Sequence, residues 1–147
     1  MSERTKALLL DIGNSYIKSA MVEASKEVFG QPLAIMRSNN VKALKDNINQ
    51  SQRVIVAAVG QGEQVARLRI LCTELDVPLT IVKTQANAFG MQCAYSNYAT
   101  LGADRWLAVL AGRRLCQTQA YAVIDLGTAN TCDLVLGNRH LGGWIAP

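Results

Sequence analysis

The sequence predicts an α/β fold whose opening strands are laid down twice, and three observations predict it. The segments Leu8-Leu9-Leu10-Asp11-Ile12-Gly13-Asn14-Ser15 and Val123-Ile124-Asp125-Leu126-Gly127-Thr128-Ala129-Asn130-Thr131 each run an apolar strand into Asp-x-Gly and then into small hydroxyl or amide residues. Continuous apolar runs alternate with apolar residues three and four apart, the marks of buried strands and amphipathic helices. Half of the 147 residues are hydrophobic, enough to bury a real core.

The elements follow in order. Lys6 to Ile12 reads as a strand and Tyr16 to Val22 as its hairpin partner. A third strand is expected within Val28 to Met36, its start blurred by Gly30 and Pro32. Asn40 to Asn49 reads as a short helix with Val41, Leu44 and Ile48 on one face. Arg53 to Val59 is a continuous apolar run, as in a strand buried on both faces. Glu63 to Leu75 is helical, with Val65, Leu68, Leu71, Cys72 and Leu75 on one stripe. Pro78 stops it, and Leu79 to Val82 is the next strand. Gln85 to Thr100 reads as loop, and Leu101 to about Cys116 as a helix with Leu107, Leu110 and Leu115 inward. Ala120 to Leu126, Thr131 to Leu136 and His140 to Ile145 form a meander, with Gly137-Asn138 as a turn.

Three strands followed by alternating helix and strand is the order of an actin-like ATPase (ribonuclease H-like) half-domain. Residues 1–118 are expected to form one complete half-domain. Residues 119–147 are expected to open a second, truncated one, because an equal half needs roughly a hundred further residues. A three-stranded sheet without a covering helix leaves an apolar face open.

Composition narrows the function classes. No apolar run is long enough to span a bilayer. The apolar start Ala7 to Leu10 is broken by Asp11, too short for a signal-peptide core, so a cytoplasmic location is expected. Cys72, Cys93, Cys116 and Cys132 lack paired-ligand spacing and read as small buried hydrophobes, free of zinc or disulfides. The formal charge is +4, with Arg113-Arg114 the one adjacent basic pair. This suits anionic ligands and gives no basic stripe for reading DNA. His140 is the single histidine, so no histidine cluster for a metal exists, and it is expected on a strand surface without a role.

The repeated Asp-x-Gly segment has the chemistry of a phosphate-gripping hairpin. A buried strand makes it rigid. Glycine lets the backbone turn and bring N–H groups to phosphate oxygens, and Ser or Thr adds a hydroxyl donor. Asp at the strand end suits a hydrated magnesium ion or another hard cation. A single copy is more often an ordinary hairpin turn than a phosphate site. Two copies point to duplicated halves facing each other across a nucleotide.

The middle of the chain is more specific. Tyr95, a short spacer, and Leu101-Gly102-Ala103-Asp104-Arg105-Trp106 opening a helix resemble the substrate segment of type III pantothenate kinases. Asp11-Ile12-Gly13-Asn14-Ser15-x-x-Lys18 is similar to that family's first phosphate motif. Asp125-Leu126-Gly127-Thr128-Ala129-Asn130-Thr131-x-Asp133 is similar to its second, and Leu141 to Pro147 to the segment that follows. The likeness spans the chain, though Glu23 to Ala88 adds almost nothing to it. The family pattern often has a proline three residues after the tyrosine, where this chain has Tyr98. The family's C-terminal half, expected to be missing here, carries adenosine-facing elements, a threonine at the pantothenate site and much of the dimer interface, so this chain alone is expected to be inactive.

The resemblance implies transfer of the ATP γ-phosphoryl group to the primary hydroxyl of pantothenate. The product is 4'-phosphopantothenate, in the first step of coenzyme A biosynthesis. It implies Asp104 as general base, where position alone would make it a helix cap. It implies a substrate pocket of Tyr95, Gly102, Ala103, Asp104 and Arg105, with the planar fork of Arg105 suited to the substrate carboxylate. Asp11 would orient magnesium through water, and Gly13, Asn14, Ser15, Lys18, Gly127, Thr128 and Thr131 would meet ATP phosphates. Asp125 matches the position tied to a monovalent cation, potassium or ammonium. Asp133 reads only as a hairpin stabiliser and Trp106 as core. The complete form is expected to be a homodimer, with no nucleic-acid or membrane partner.

Two other classes remain open at this point. The same family contains relatives described as Bvg accessory factor-like regulators, and a non-catalytic homologue would keep the motifs while binding only ligand or partner. A sugar or acetate kinase on the same fold would lack the Leu-Gly-x-Asp-Arg segment.

Overall fold

The computed structural model describes residues 5–24, 35–58, 60, 62–116, 118–127 and 129–147. They gather into two compact units, one running to Val82 and the other from Lys83 to Pro147. Each is built on its own five-stranded sheet.

The first unit contains β1 (Thr5–Ile12), β2 (Ile17–Ala24), β3 (Ile35–Ser38), α1 (Lys45–Asn49), β4 (Arg53–Ala58), α2 (Glu63–Glu74) and β5 (Leu79–Ile81). Its strand order is β3-β2-β1-β4-β5. β2 runs antiparallel to β1 and β3, whereas β4 runs parallel to β1 and β5 to β4. Parallel neighbours need long crossovers, and the helices provide them. The element order of this unit opens as expected for an actin-like ATPase half-domain, but the unit closes at Val82 and not near residue 118, and the helix from Ala103 belongs to the second unit. Leu8, Leu10 and Ile12 of β1 and Val54 and Val56 of β4 meet Val41, Leu44, Ile48, Val65, Leu68 and Cys72 in one core. Each fully buried side chain of this size stabilises the fold by about 1.5–3 kcal/mol.

Several expectations shift in detail. The expected third strand falls partly on residues 25–34, which lie outside the described residues; the observed β3 runs to Ser38, past the expected end at Met36. The expected Asn40–Asn49 helix is a 3-10 turn over Val41–Leu44 followed by α1. Asn40 caps that turn, its side chain accepting the Ala43 N–H at 3.2 Å. Burial pushes the Cys72 thiol above its ordinary pKa. All four cysteines are free, but only Cys72 and Cys132 are buried. Cys93 and Cys116 are half-buried instead.

The second unit contains β6 (Asn87–Ala88), β7 (Met91–Gln92), a 3-10 turn (Tyr98–Thr100), α3 (Ala103–Leu115), β8 (Ala120–Leu126), β9 (Asn130–Leu136) and β10 (Arg139–Ala146). Its order is β6-β7-β10-β9-β8. The meander β8-β9-β10 is antiparallel and repeats the opening β1-β2-β3 of the first unit. The stretch expected to be loop holds the small β6–β7 hairpin, whose β7 pairs with β10. Strands of two residues have no periodicity to read.

α3 presents a different stripe from the expected one. Trp106 and Val109 are buried, whereas Leu107 is 37% and Leu115 80% exposed. Trp106, Val109 and Leu110 share the same three-and-four spacing, and the stripe carrying the large indole wins the core. The helix crosses β8 at Gly112, where a Cβ would come within 2.6 Å of the Tyr121 ring. The Tyr121 hydroxyl donates to the Val109 carbonyl at 2.9 Å. Ile124, Leu126, Leu134, Leu136 and Trp144 of the meander are exposed. Among the described residues no helix is long and apolar enough to cross a membrane.

Candidate active site

The two Asp-x-Gly segments occupy equivalent positions in their sheets. Asp11 precedes the last pair of its hairpin, Ile12 with Ile17, and lies opposite Lys18. Asp125 precedes the last pair of its hairpin, Leu126 with Asn130, and lies opposite Thr131. In the first turn the Gly13 N–H donates to the Tyr16 carbonyl at 3.2 Å, with Asn14 and Ser15 exposed. The second turn contains Gly127 and Ala129; Thr128 lies outside the described residues.

The side chains opposite the two aspartates differ. Lys18 Nζ sits 3.5 Å from Asp11 Oδ2, both half in solvent, an ion pair worth little by itself. Asp125 lies opposite Thr131 instead of a cationic residue. Among the described residues no three His, Cys, Asp or Glu side chains gather as a metal centre. Each aspartate therefore offers a single hard-oxygen ligand. That fits a cation which keeps its waters or shares phosphate oxygens.

The second unit brings two of the motifs together. A recess of about 220 Å³ is lined by Asp104, Arg105, Val123, Asp125, Thr131 and Asp133 among others. Asp104 and Arg105 come from the first turn of α3, and the rest from β8 and β9. The cap position of α3 is Gly102, so Asp104 is the second helical residue and not the cap. Its carboxylate bends back toward Gly102, into the space that a Cβ there would fill. A carboxylate in the first turn also faces the positive end of the helix. Ala103 opens the helix behind it. The Tyr95 hydroxyl donates to the Gly143 carbonyl at 3.4 Å, and its ring stands edge-on to His140 with centroids 5.7 Å apart.

Arg105 is held in place by the sheet. Its Nε donates to Asp133 Oδ2 at 2.9 Å and its Nη2 to Asp133 Oδ1 at 2.7 Å. Asp133 is buried, and His140 Nε2 lies 2.9 Å from the same Oδ1. The Asp133 hydrogen bond holds the Arg105 pKa above its ordinary value; burial opposes this, while the Asp133 charge and the neighbouring Tyr95 hydroxyl favour it. His140 is therefore a buried member of this cluster, correcting its expected place on a strand surface. β10 turns the ring inward beside the shift in register between His140 and Gly142. Asp133 is likewise more than a hairpin residue, for it ties α3 to β9. Its spacing of two from Thr131 was the available signal, since alternate strand residues share a face. Trp106 is core, as expected, with its Nε1 lacking a hydrogen-bond partner among the described residues.

Comparison with known proteins places the chain in a family. A family model described as type III pantothenate kinase matches residues 7–147. A type III pantothenate kinase from Pseudoalteromonas atlantica is 64% identical over 147 residues, covering 100% of this chain and 60% of that protein. One from Acinetobacter baumannii is 33% identical, covering 97% of this chain and 59% of its own length. The chain thus spans about 60% of the length of the curated relatives it matches. Two solved structures share the fold. A Baf family protein from Campylobacter jejuni superposes with a TM-score of 0.55 at 21% identity, over 95% of this chain and 54% of its own. The PPX-GPPA enzyme of Aquifex aeolicus gives 0.50 at 8% identity, over 97% of this chain and 52% of its own.

Proposed function

Because the chain belongs to the type III pantothenate kinase family, we propose that it carries the acceptor site and phosphate hairpins for ATP-dependent phosphorylation of pantothenate to 4'-phosphopantothenate. The observation that carries this reading is the recess that joins Asp104 and Arg105 of one motif to Asp125 and Thr131 of another. In the proposed reaction Asp104 accepts the proton of the pantothenate primary hydroxyl. The hydroxyl oxygen bonds to the γ-phosphorus, and the bond to the β,γ-bridging oxygen breaks to release ADP. Little covalent chemistry falls to the protein in such a transfer, so positioning and charge neutralisation carry the rate.

Arg105 and Tyr95 are proposed to orient the acceptor at the mouth of α3, with Gly102 and Ala103 letting it approach the helix start. Asp133 takes the Nε–Nη2 edge of Arg105, and the N–H donors it does not use, beside Tyr95, are proposed to face the acceptor. Gly13, Asn14, Ser15 and Lys18 of one hairpin, and Gly127, Thr128 and Thr131 of the other, are proposed to meet phosphate oxygens of ATP. Asp11 would hold magnesium and Asp125 a monovalent cation, potassium or ammonium. These ions supply neutralisation of phosphate charge. A homodimer without nucleic-acid or membrane partners completes the reading, and the scattered Lys and Arg support the latter part.

The test is product formation from ATP and pantothenate, followed by mass spectrometry, with pantothenate binding measured in parallel by calorimetry. Phosphopantothenate that requires both substrates is the expected result for a full-length form, beside which the 147-residue chain alone is expected to be inactive. Binding without any product in the full-length form would reduce the chain to a ligand-binding homologue.

A further inference from the structure

We infer that Asp133 and His140 are positioning residues that lock the Arg105 guanidinium in one orientation beside Tyr95, with its remaining N–H donors held toward the acceptor. The inference rests on the kinase reading and deepens it, adding two residues that act through Arg105.

The geometry is a closed chain of hydrogen bonds. The Ala94 N–H donates to His140 Nδ1 at 3.4 Å, which places the ring proton of the neutral imidazole on Nε2. That proton points at Asp133 Oδ1, 2.9 Å away. Asp133 Oδ1 therefore accepts from His140 and from Arg105 Nη2, while Oδ2 accepts from Arg105 Nε. The carboxylate cannot rotate without breaking one of them. Above it lies Gly143, where a Cβ would collide with the Cys132 carbonyl and Asp133 Oδ1 and come within 2.8 Å of Arg105 Nη2. The rings of Tyr95 and Trp106 stand against His140 with centroids 5.7 and 6.3 Å away.

Such a cluster is a poor investment in stability alone. A buried ion pair is often no better than apolar residues of the same volume, because both charges lose their water. It does fix geometry, and it does so where geometry counts. Arg105 and Asp133 both line the recess that holds Asp104, and Arg105 adjoins Asp104 in the first turn of α3. Groups that meet a substrate need a supporting set of hydrogen bonds to hold their orientation.

The test compares Asp133→Asn, His140→Leu and His140→Gln with wild type in the full protein, using steady-state kinetics for each substrate and thermal unfolding. Asp133→Asn is expected to raise KM for pantothenate at least about tenfold while KM for ATP stays within about twofold. His140→Leu is expected to shift the same constant in the same direction. His140→Gln, whose amide N–H reaches Oδ1, is expected to restore most of it. If Asp133→Asn does not fold, the two His140 variants decide. An active wild type whose folded variants leave KM for pantothenate unchanged, or raise both KM values equally, overturns the positioning role. A wild type that makes no phosphopantothenate overturns the kinase reading itself, a different result.

Discussion

The Asp104 carboxylate occupies the volume that a side chain on Gly102 would need. The requirement at residue 102 is space and not an unusual backbone, since its φ of −55° suits any residue. Gly102→Ala should therefore push the carboxylate off its position while leaving α3 intact. We expect kcat/KM for pantothenate to fall about tenfold, with an unfolding midpoint close to that of wild type. Asp104→Asn keeps the shape and removes the proton acceptor, and a general base is typically worth 10²–10⁴-fold in rate. Steady-state kinetics on both variants checks this. Turnover within about threefold of wild type in Asp104→Asn would leave Asp104 only its charge at the helix start.

The matched registers of Asp11 and Asp125 make a second prediction. Asp11 lies opposite Lys18 and Asp125 opposite Thr131, so the two sites differ in charge. Asp11→Ala is expected to raise the magnesium concentration needed for half-maximal activity, and Asp125→Ala the potassium concentration, each about tenfold or more. Activity titrated against each ion in turn separates them. If neither variant changes its ion dependence, both hairpins are structural turns.

Much of this was legible in the residues themselves. The strands of the first sheet have apolar runs that periodicity reads directly, and the Asp-x-Gly hairpins appear where the motif places them. The helix α3 was legible but its facing was not. Leu107–Leu110 and Trp106–Val109–Leu110 fit the same spacing, and only packing against β8 and β9 chooses between them. His140 and Asp133 were missed for a related reason. A lone histidine and a strand aspartate have no local signature, and their meaning lies in a partner 28 residues from Asp133, on another element. The β6–β7 hairpin escaped because pairs of residues hold no pattern.

Tyr121 makes the fold sensitive to alkali in a way that can be isolated. Burial raises its pKa above the ordinary value of 10.0, and its hydroxyl donates to the Val109 carbonyl. A group whose folded pKa is raised contributes stability below its unfolded pKa, and that contribution is lost as pH rises through the folded value. Tyr121→Phe should cost about 1 kcal/mol near neutral pH, the usual net worth of such a hydrogen bond. The gap between the variant and wild type should then close as the phenol ionises, above about pH 10. Denaturant unfolding of both proteins at neutral and alkaline pH measures it. A gap that stays constant across the range would show that the hydrogen bond plays no part.

The outer face of the second sheet makes the last prediction. Ile124 is 65%, Leu126 80%, Leu136 52% and Trp144 56% exposed, on neighbouring strands of one meander. Their opposite face is covered: Tyr121, Val123 and Val135 pack with Trp106 and Val109 of α3. Contiguous apolar surface of this kind drives association, and it does so more strongly as concentration rises. The 147-residue chain alone is therefore expected to bind a hydrophobic dye and to scatter light increasingly with concentration. Ile124→Lys together with Leu136→Lys should reduce both signals while leaving α3 and its packing untouched, since the two side chains point away from the helix. A chain that stays monodisperse and dye-free at high concentration would show that these side chains do not act as one apolar surface.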